Sequence, residues 1–417
     1  MVAAIGQALP RPRKCSLVSV DQIGLILLVA CVVAMITRRL NLPYTVGLVS
    51  AGIALTWLGG ADKLVLTPHL VFEVLLPPLL FEAAMHLKWR PFRRDLPVSA
   101  TLAFPGTILT ATIIAAGMRM FVGWPWISSG LFGFLIAATD PVSVIAAFKS
   151  LKVAPRLALL VESESLMNDG AAAVGFAILV TLAQGAAPDP AVMAQSLAWM
   201  VLGGLVVGAA VAGGVLLLAG RTQDPLVEIA LTVIAAYGSF LAAEHFHMSG
   251  VLACVLAGLM VGNFGGLGAL SEQGRAQLLG FWEFAAFLAN SVVFILLGGH
   301  AAHHGGQLLT VTSATAVGLV LFGQAAAVYP LCLPFIKSKL RVDIRYQHVM
   351  FWGGLRGAIS LALALGIPDS VPEKEEIILA AFAVVAFSIF VQGLSMPWLI
   401  RGLGLTEKEP SASPQPG

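Results

Sequence analysis

Charge is what this sequence has least of. Asp, Glu, Lys and Arg make up 11% of its 417 residues, against roughly 25% in a soluble domain, which excludes an ordinary water-soluble globule. The net charge of +2 is too small to suggest a nucleic-acid partner. Cysteine is also scarce. Cys15, Cys31, Cys254 and Cys332 are scattered singly with no C-x-x-C pair, which argues against a disulfide framework or a zinc site. No cleavable signal peptide is expected: Arg11, Arg13 and Lys14 precede an apolar segment too long for an h-region, and no small-residue cleavage site follows.

Hydrophobic residues fill the space that charge leaves. They are 58% of the chain, and the mean hydropathy is +0.90. The chain therefore reads as an all-α polytopic membrane protein of about 13 transmembrane helices. The expected spans are 20–37, 43–60, 67–86, 96–118, 126–148, 156–184, 191–219, 224–244, 248–264, 276–299, 308–336, 347–367 and 375–400. Loops after the odd-numbered spans hold 17 of the 24 Lys and Arg residues, the opposite side holds 6, and Arg356 lies within a span. The positive side is cytoplasmic by the positive-inside rule, which places the C-terminus inside and the N-terminus outside. Residues 1–405 read as a single transmembrane domain. Residues 406–417, rich in Pro and Ser, read as a short disordered cytoplasmic tail.

Polar residues inside these spans mark the candidate site. Ala138-Thr139-Asp140-Pro141-Val142 interrupts the fifth span. Proline lacks an N–H and disfavours helical geometry at the preceding residue, so the helix should break at Asp140. A broken backbone at membrane depth is tolerated only inside protein or beside water. A carboxylate there costs about 2.5–3.5 kcal/mol on insertion scales. The pairing of two costs suggests an ion site.

The sixth span carries Glu164, Ser165, Asn168 and Asp169, which at about 100° per residue share an arc of roughly 140°. Carboxylate, hydroxyl and carbonyl oxygens suit a hard cation such as Na⁺. Asp169 can supply the charge, Ser165 a hydroxyl, and the broken span a carbonyl near Thr139. Ser165 and Asn168 alone would read as helix–helix bridges; the acids beside them favour the ion site.

The twelfth span has its own interruption, Gly353-Gly354-Leu355-Arg356-Gly357. Glycines weaken the helix and allow close backbone approach. Arg356 needs a partner, and Glu164 is the expected one, in a structural ion pair rather than in contact with the ion. Spans 5 and 12 occupy corresponding positions if spans 1–6 and 8–13 form inverted six-helix repeats. Two broken, crossing helices so placed point to a transport site at the midplane.

Phe81-Glu82, Ala138-Thr139-Asp140-Pro141-Val142, Glu164-Ser165-Leu166-Met167-Asn168-Asp169-Gly170, Phe281-Trp282-Glu283-Phe284 with Asn290, and Trp352-Gly353-Gly354-Leu355-Arg356-Gly357-Ala358 resemble, in order, the signature blocks of the NhaP/NHE-like cation:proton antiporters. The resemblance covers essentially the whole membrane domain. It implies a homodimeric secondary antiporter of the cell (inner) membrane, serving pH homeostasis, with no cofactor and no enzymatic activity. It also implies a mobile six-helix core, placed at about 67–184 and 276–400 without connectors, and a dimer-interface domain from the other helices.

By the same resemblance Asp169 binds the ion and the proton, with Asp140, the Thr139 backbone oxygen and Ser165 as companion Na⁺ ligands and Asn168 in support. Glu164 and Arg356 form the buried pair, and Glu82, near the cytoplasmic mouth, contributes to cation binding or pH response. Asn168, where electrogenic relatives carry a second aspartate, implies electroneutral one-for-one exchange. Two departures from the family pattern are the alanines after Glu82 and Ser143 in place of a common alanine.

Monovalent cations and protons, within a lipid bilayer, are the expected partners. Na⁺, with Li⁺ beside it, is the expected cargo; K⁺/H⁺ exchange is the alternative. An intramembrane aspartyl protease would also use Asp140 and Asp169 but needs neither a buried arginine nor a second break, and a cation channel would need no counter-ion. His300, His303 and His304 are expected in a solvated outer loop. Glu73, Glu162, Glu228, Glu244 and Glu283 are expected to play local structural parts.

Overall fold

The computed structural model describes residues 20–406 apart from 41, 59–68, 186–188, 266–269 and 304–309. Arg11, Arg13, Lys14, Lys63, His304 and the tail from residue 407 lie outside the described residues. Helices run in the order α1 (Val20–Leu40), α2 (Tyr44–Trp57), α3 (Leu76–His86), α4 (Trp89–Gly117), α5 (Trp126–Ala137), α6 (Val142–Leu151), α7 (Pro155–Ala183) and α8 (Pro190–Ala219). They continue as α9 (Pro225–His245), α10 (Gly250–Phe264), α11 (Glu272–His303), α12 (Val311–Cys332), α13 (Ile344–Gly353), α14 (Ala358–Leu365), α15 (Lys374–Phe387) and α16 (Leu394–Gly402). Among the described residues there is no strand; Thr406 forms only an isolated antiparallel bridge with Val153. Among the described residues eight stretches are long and apolar enough to cross a membrane, one of them α5 with α6, and the pair α13–α14, bent by 40°, makes a ninth.

The helix starts follow from local sequence. Asp189-Pro190 and Asp224-Pro225 open α8 and α9, each Asp accepting a hydrogen bond at 2.9 Å from the amide two residues on. Proline fits a first helical position because its missing N–H would have no partner there, and the acid caps the next amide. Asp140-Pro141 repeats the acid-to-amide bond inside a span, one residue earlier, with Pro141 at the N-cap. Val142 N donates to Asp140 Oδ1 at 3.0 Å, so α6 begins where a surface helix would.

Two groups of helices emerge from the packing. One contains α4–α7 with α12–α16; the other contains α1–α3 with α8–α11. α3 and α11, expected in the core from sequence, pack chiefly on α10 and α2. The α2–α11 contact is backbone to backbone: a Cβ on Gly52 would strike the Ile295 carbonyl, and one on Gly298 the Val49 carbonyl. α11 continues through His300, where an outer loop was expected, and the His300 ring stacks on Phe382 with centroids 4.1 Å apart. Glu228 and Glu244 accept backbone amides, from Ser271 at 3.1 Å and Gly250 at 3.0 Å.

Candidate functional site

The two breaks bind each other. Helix stops at Ala137, resumes at Val142, stops again at Gly353 and resumes at Ala358. Asp140 N donates to Leu355 O at 2.7 Å, and Ser360 Oγ donates to Ala138 O at 3.3 Å. Backbone groups freed by one break are thus satisfied by the other, as burial in a membrane protein demands.

The helix ends match the charges placed among them. Asp140 sits where α6 and α14 begin, accepting hydrogen bonds from the Val142 and Ala358 backbone amides. Helix N-termini carry partial positive charge. The Arg356 guanidinium lies at the end of α5, where Nη1 donates to Ala137 O at 2.9 Å and Ala138 O at 3.3 Å. Such carbonyls form the negative end of the helix.

Arg356 is 1% exposed and also donates through Nη2 to Gln324 Oε1 at 3.1 Å. Its Nε has no hydrogen-bond partner. Among the described residues no ion pair within 4 Å joins it to Glu164; the acid acts on the guanidinium only through space. The expected direct pair is thus replaced by carbonyls and an amide. Ser388 completes the support, donating to Arg356 O at 3.2 Å and accepting from Arg356 N at 3.1 Å. Ser388 opens a wider helical turn, Ser388–Gly393, and Gln392 in that turn donates to Trp352 O at 3.1 Å.

On α7, Asn168 holds the first break. Its Oδ1 accepts from Thr139 N at 3.1 Å, and its Nδ2 donates to Thr139 Oγ1 at 2.6 Å and Glu164 Oε1 at 2.9 Å. Ser165 Oγ donates to the Thr139 carbonyl at 2.5 Å. One turn along, Asp169 is 5% exposed, and its Oδ1 has no hydrogen-bond partner.

A cavity of about 80 Å³ gathers these groups at the boundary of the two helix groups. That is several times the roughly 10–15 Å³ needed for one water molecule. Thr139, Asp140, Ser165 and Asp169 line one side, and Glu82 of α3 with Asn290 of α11 line the other. Asn168 and Glu164 face a second, smaller cavity behind the break, shared with Gln324. Glu82, its side chain 24% exposed, pairs with His86 at 3.3 Å, and His86 lies 3.8 Å from Glu283. Among the described residues no cluster of three or more His, Cys, Asp or Glu side chains suits a tightly held metal. The cavity instead offers hard oxygen donors around the Asp169 carboxylate, a setting for an ion that comes and goes.

Gln324, Ser360 and Ser388 were not singled out from sequence, since each is an uncharged polar residue bounded by apolar neighbours. Gly357 has a sharper signature, because a Cβ there would overlap the Asp140 carboxylate. Gly357→Ala should displace Asp140 and cost about 1–3 kcal/mol of stability, the usual scale of overpacking. Thermal melting in detergent checks this, and wild-type melting would show that the Asp140 carboxylate can move aside freely.

Ser143, a departure from the family pattern, bonds across the boundary to Thr45 Oγ1 at 2.5 Å.

Comparison with known proteins supplies the family. A family model described as "Sodium/hydrogen exchanger, transmembrane" matches residues 25–402. The Na(+)/H(+) antiporter ApNhaP of Aphanothece halophytica is 38% identical over 373 residues, covering 88% of this chain and 70% of that protein. The low-affinity Na(+)/H(+) antiporter NhaS1 of Synechocystis is 34% identical over 94% of this chain and 76% of that one. Among solved structures, the sodium proton antiporter MjNhaP1 of Methanocaldococcus jannaschii shares the fold, with a TM-score of 0.73, 20% identity, and coverage of 92% of this chain and 98% of that one. Matched over nearly its whole membrane region, the chain belongs to the sodium/hydrogen exchanger family.

Proposed function

We propose that the protein is a secondary active antiporter that exchanges Na⁺, and also Li⁺, for H⁺ across the cell (inner) membrane. The names of its relatives support the exchange of these two ions. The observation that carries the reading is the buried Asp169 carboxylate, whose Oδ1 has no hydrogen-bond partner and which lines a cavity between two helix groups together with Thr139, Asp140 and Ser165.

Asp169 takes either a proton or a Na⁺, with Asp140, Ser165 and the Thr139 carbonyl as further ligands and Glu82 on the approach. An empty carboxylate leaves an uncompensated charge that opposes movement through the closed seam. Loaded with either ion, it is neutralised. If α4–α7 and α12–α16 move as one body against the other helices only when loaded, the two fluxes are obligatorily coupled. Both loaded forms carry the same charge, so exchange is one-for-one and electroneutral. Asn168 fits this stoichiometry: its amide is committed to Thr139 and Glu164 and adds no second ionisable group beside Asp169. We further infer thirteen crossings, a cytoplasmic C-terminus, an outer N-terminus and a homodimer.

The test is cation-induced proton flux in proteoliposomes, comparing Li⁺, Na⁺ and K⁺ with the membrane potential clamped or free. Na⁺ and Li⁺ should collapse the proton gradient at the same rate in both conditions. A rate that follows the potential would overturn electroneutrality, and a flux carried mainly by K⁺ would make the protein a K⁺/H⁺ antiporter.

A further inference from the structure

A second opening between the two helix groups is larger than the ion cavity and takes no part in the exchange. It is a groove of about 610 Å³ with walls from both groups: Arg38 on α1 and Phe287 on α11 from one, Lys149 on α6 and Pro397 on α16 from the other. Both cations belong to the Lys- and Arg-rich side of the sequence.

The polar atoms of the groove divide into committed and uncommitted ones. Tyr44 OH is bonded to Ser291 Oγ at 2.8 Å, Ser143 to Thr45, Thr37 to the Val33 carbonyl and Ser150 to the Ala147 carbonyl. Arg38 and Lys149 enter no ion pair among those of the described residues. Lys149 acts at longer range on Glu82 and Glu162. The remainder of the wall is largely apolar. On the neighbouring face of α1, Leu28, Val32, Met35 and Ile36 are exposed, continuing the apolar surface along the helix.

We propose that this groove binds an anionic phospholipid, its phosphate between Arg38 and Lys149 and an acyl chain along α1. Charge complementarity selects the headgroup: two cations flank a space otherwise apolar or already hydrogen-bonded. Basic pockets between membrane helices on the positive side take such lipids, and each cation is worth enough to matter at the membrane surface. Because Arg38 and Lys149 stand on different helix groups, a lipid held by both braces the arrangement seen here. This last consequence rests on the antiport reading; the binding itself does not.

Native mass spectrometry of the purified full chain in detergent, titrated with phosphatidylglycerol or phosphatidylcholine, tests the site without measuring ion flux. Wild-type protein should retain phosphatidylglycerol over phosphatidylcholine. The double variant Arg38→Gln/Lys149→Gln should bind phosphatidylglycerol about ten- to thirtyfold more weakly, the loss expected of two interfacial cations. Arg39→Gln, one residue away and absent from the groove wall, should bind as wild type, and matching melting curves would establish that all variants are folded. Retention unchanged in the double variant, or lost equally in Arg39→Gln, overturns the proposal. Displacement of the lipid by millimolar inorganic phosphate assigns the cations to a free anion and also overturns it.

Discussion

Asp169→Asn is expected to reduce Na⁺-induced proton movement in proteoliposomes to the level of protein-free vesicles. The substitution keeps the volume of the side chain and removes a cavity-lining carboxylate whose buried Oδ1 has no hydrogen-bond partner. An amide can neither release a proton nor compensate a cation, so both halves of the exchange fail together. Stability should move the other way. A buried charged group without a full set of partners destabilises a fold, so the variant should melt at or above the wild-type temperature in detergent. Loss of flux with intact or improved melting separates a transport role from a folding role. Wild-type exchange by this variant would remove the basis for assigning the ion to Asp169.

Arg356→Ala should have the largest effect on stability. The guanidinium is 1% exposed and satisfies Ala137 O, Ala138 O and Gln324 Oε1. Its loss strands the Ala137 carbonyl at membrane depth, leaves Ala138 O to Ser360 alone, and removes the cation that acts on Glu164 and Asp169. Breaking a buried charged network by removing one member costs about 3–5 kcal/mol, so the variant should melt far below wild type or aggregate on solubilisation. Arg356→Lys should fall between the two, because an ammonium restores the charge but not the planar fork that reaches carbonyl and amide together. Wild-type melting by Arg356→Ala would show that the carbonyls at the end of α5 find other partners.

The residues that hold the first break were legible because they are misplaced by composition. Asp140-Pro141 inside an apolar run, and Glu164, Ser165, Asn168 and Asp169 on one helical face, have no reason to be there unless they meet. Sequence also told which groups needed partners. It did not tell which partners they would take. Arg356 was assigned to Glu164 by opposite charge, yet the nearer claim belonged to the carbonyls released where α5 stops. Those carbonyls leave no trace in a list of side chains. Gln324 and Ser388 were hidden for a related reason: one uncharged polar residue bounded by apolar neighbours has no periodicity. The grouping of helices was the hardest to read. α3 carries Glu82 into the cavity, which suggests membership of the core, but its packing is with α10 and α11. A helix can line a site from either of two packed groups.

The two breaks bear on how the chain is made. When Ala137, Ala138 and Asp140 leave the ribosome, the groups that will satisfy them, Leu355 O, Ser360 Oγ and the Arg356 guanidinium, are still more than two hundred codons away. The same delay separates Gly52 of α2 from its counterpart Gly298 on α11. During synthesis the first half must therefore enter the bilayer with an open seam, its interrupted helix kept wet or temporarily wound through. Only the arrival of the second half closes it, so the N-terminal half made alone should be a target for membrane quality control rather than a stable half-transporter.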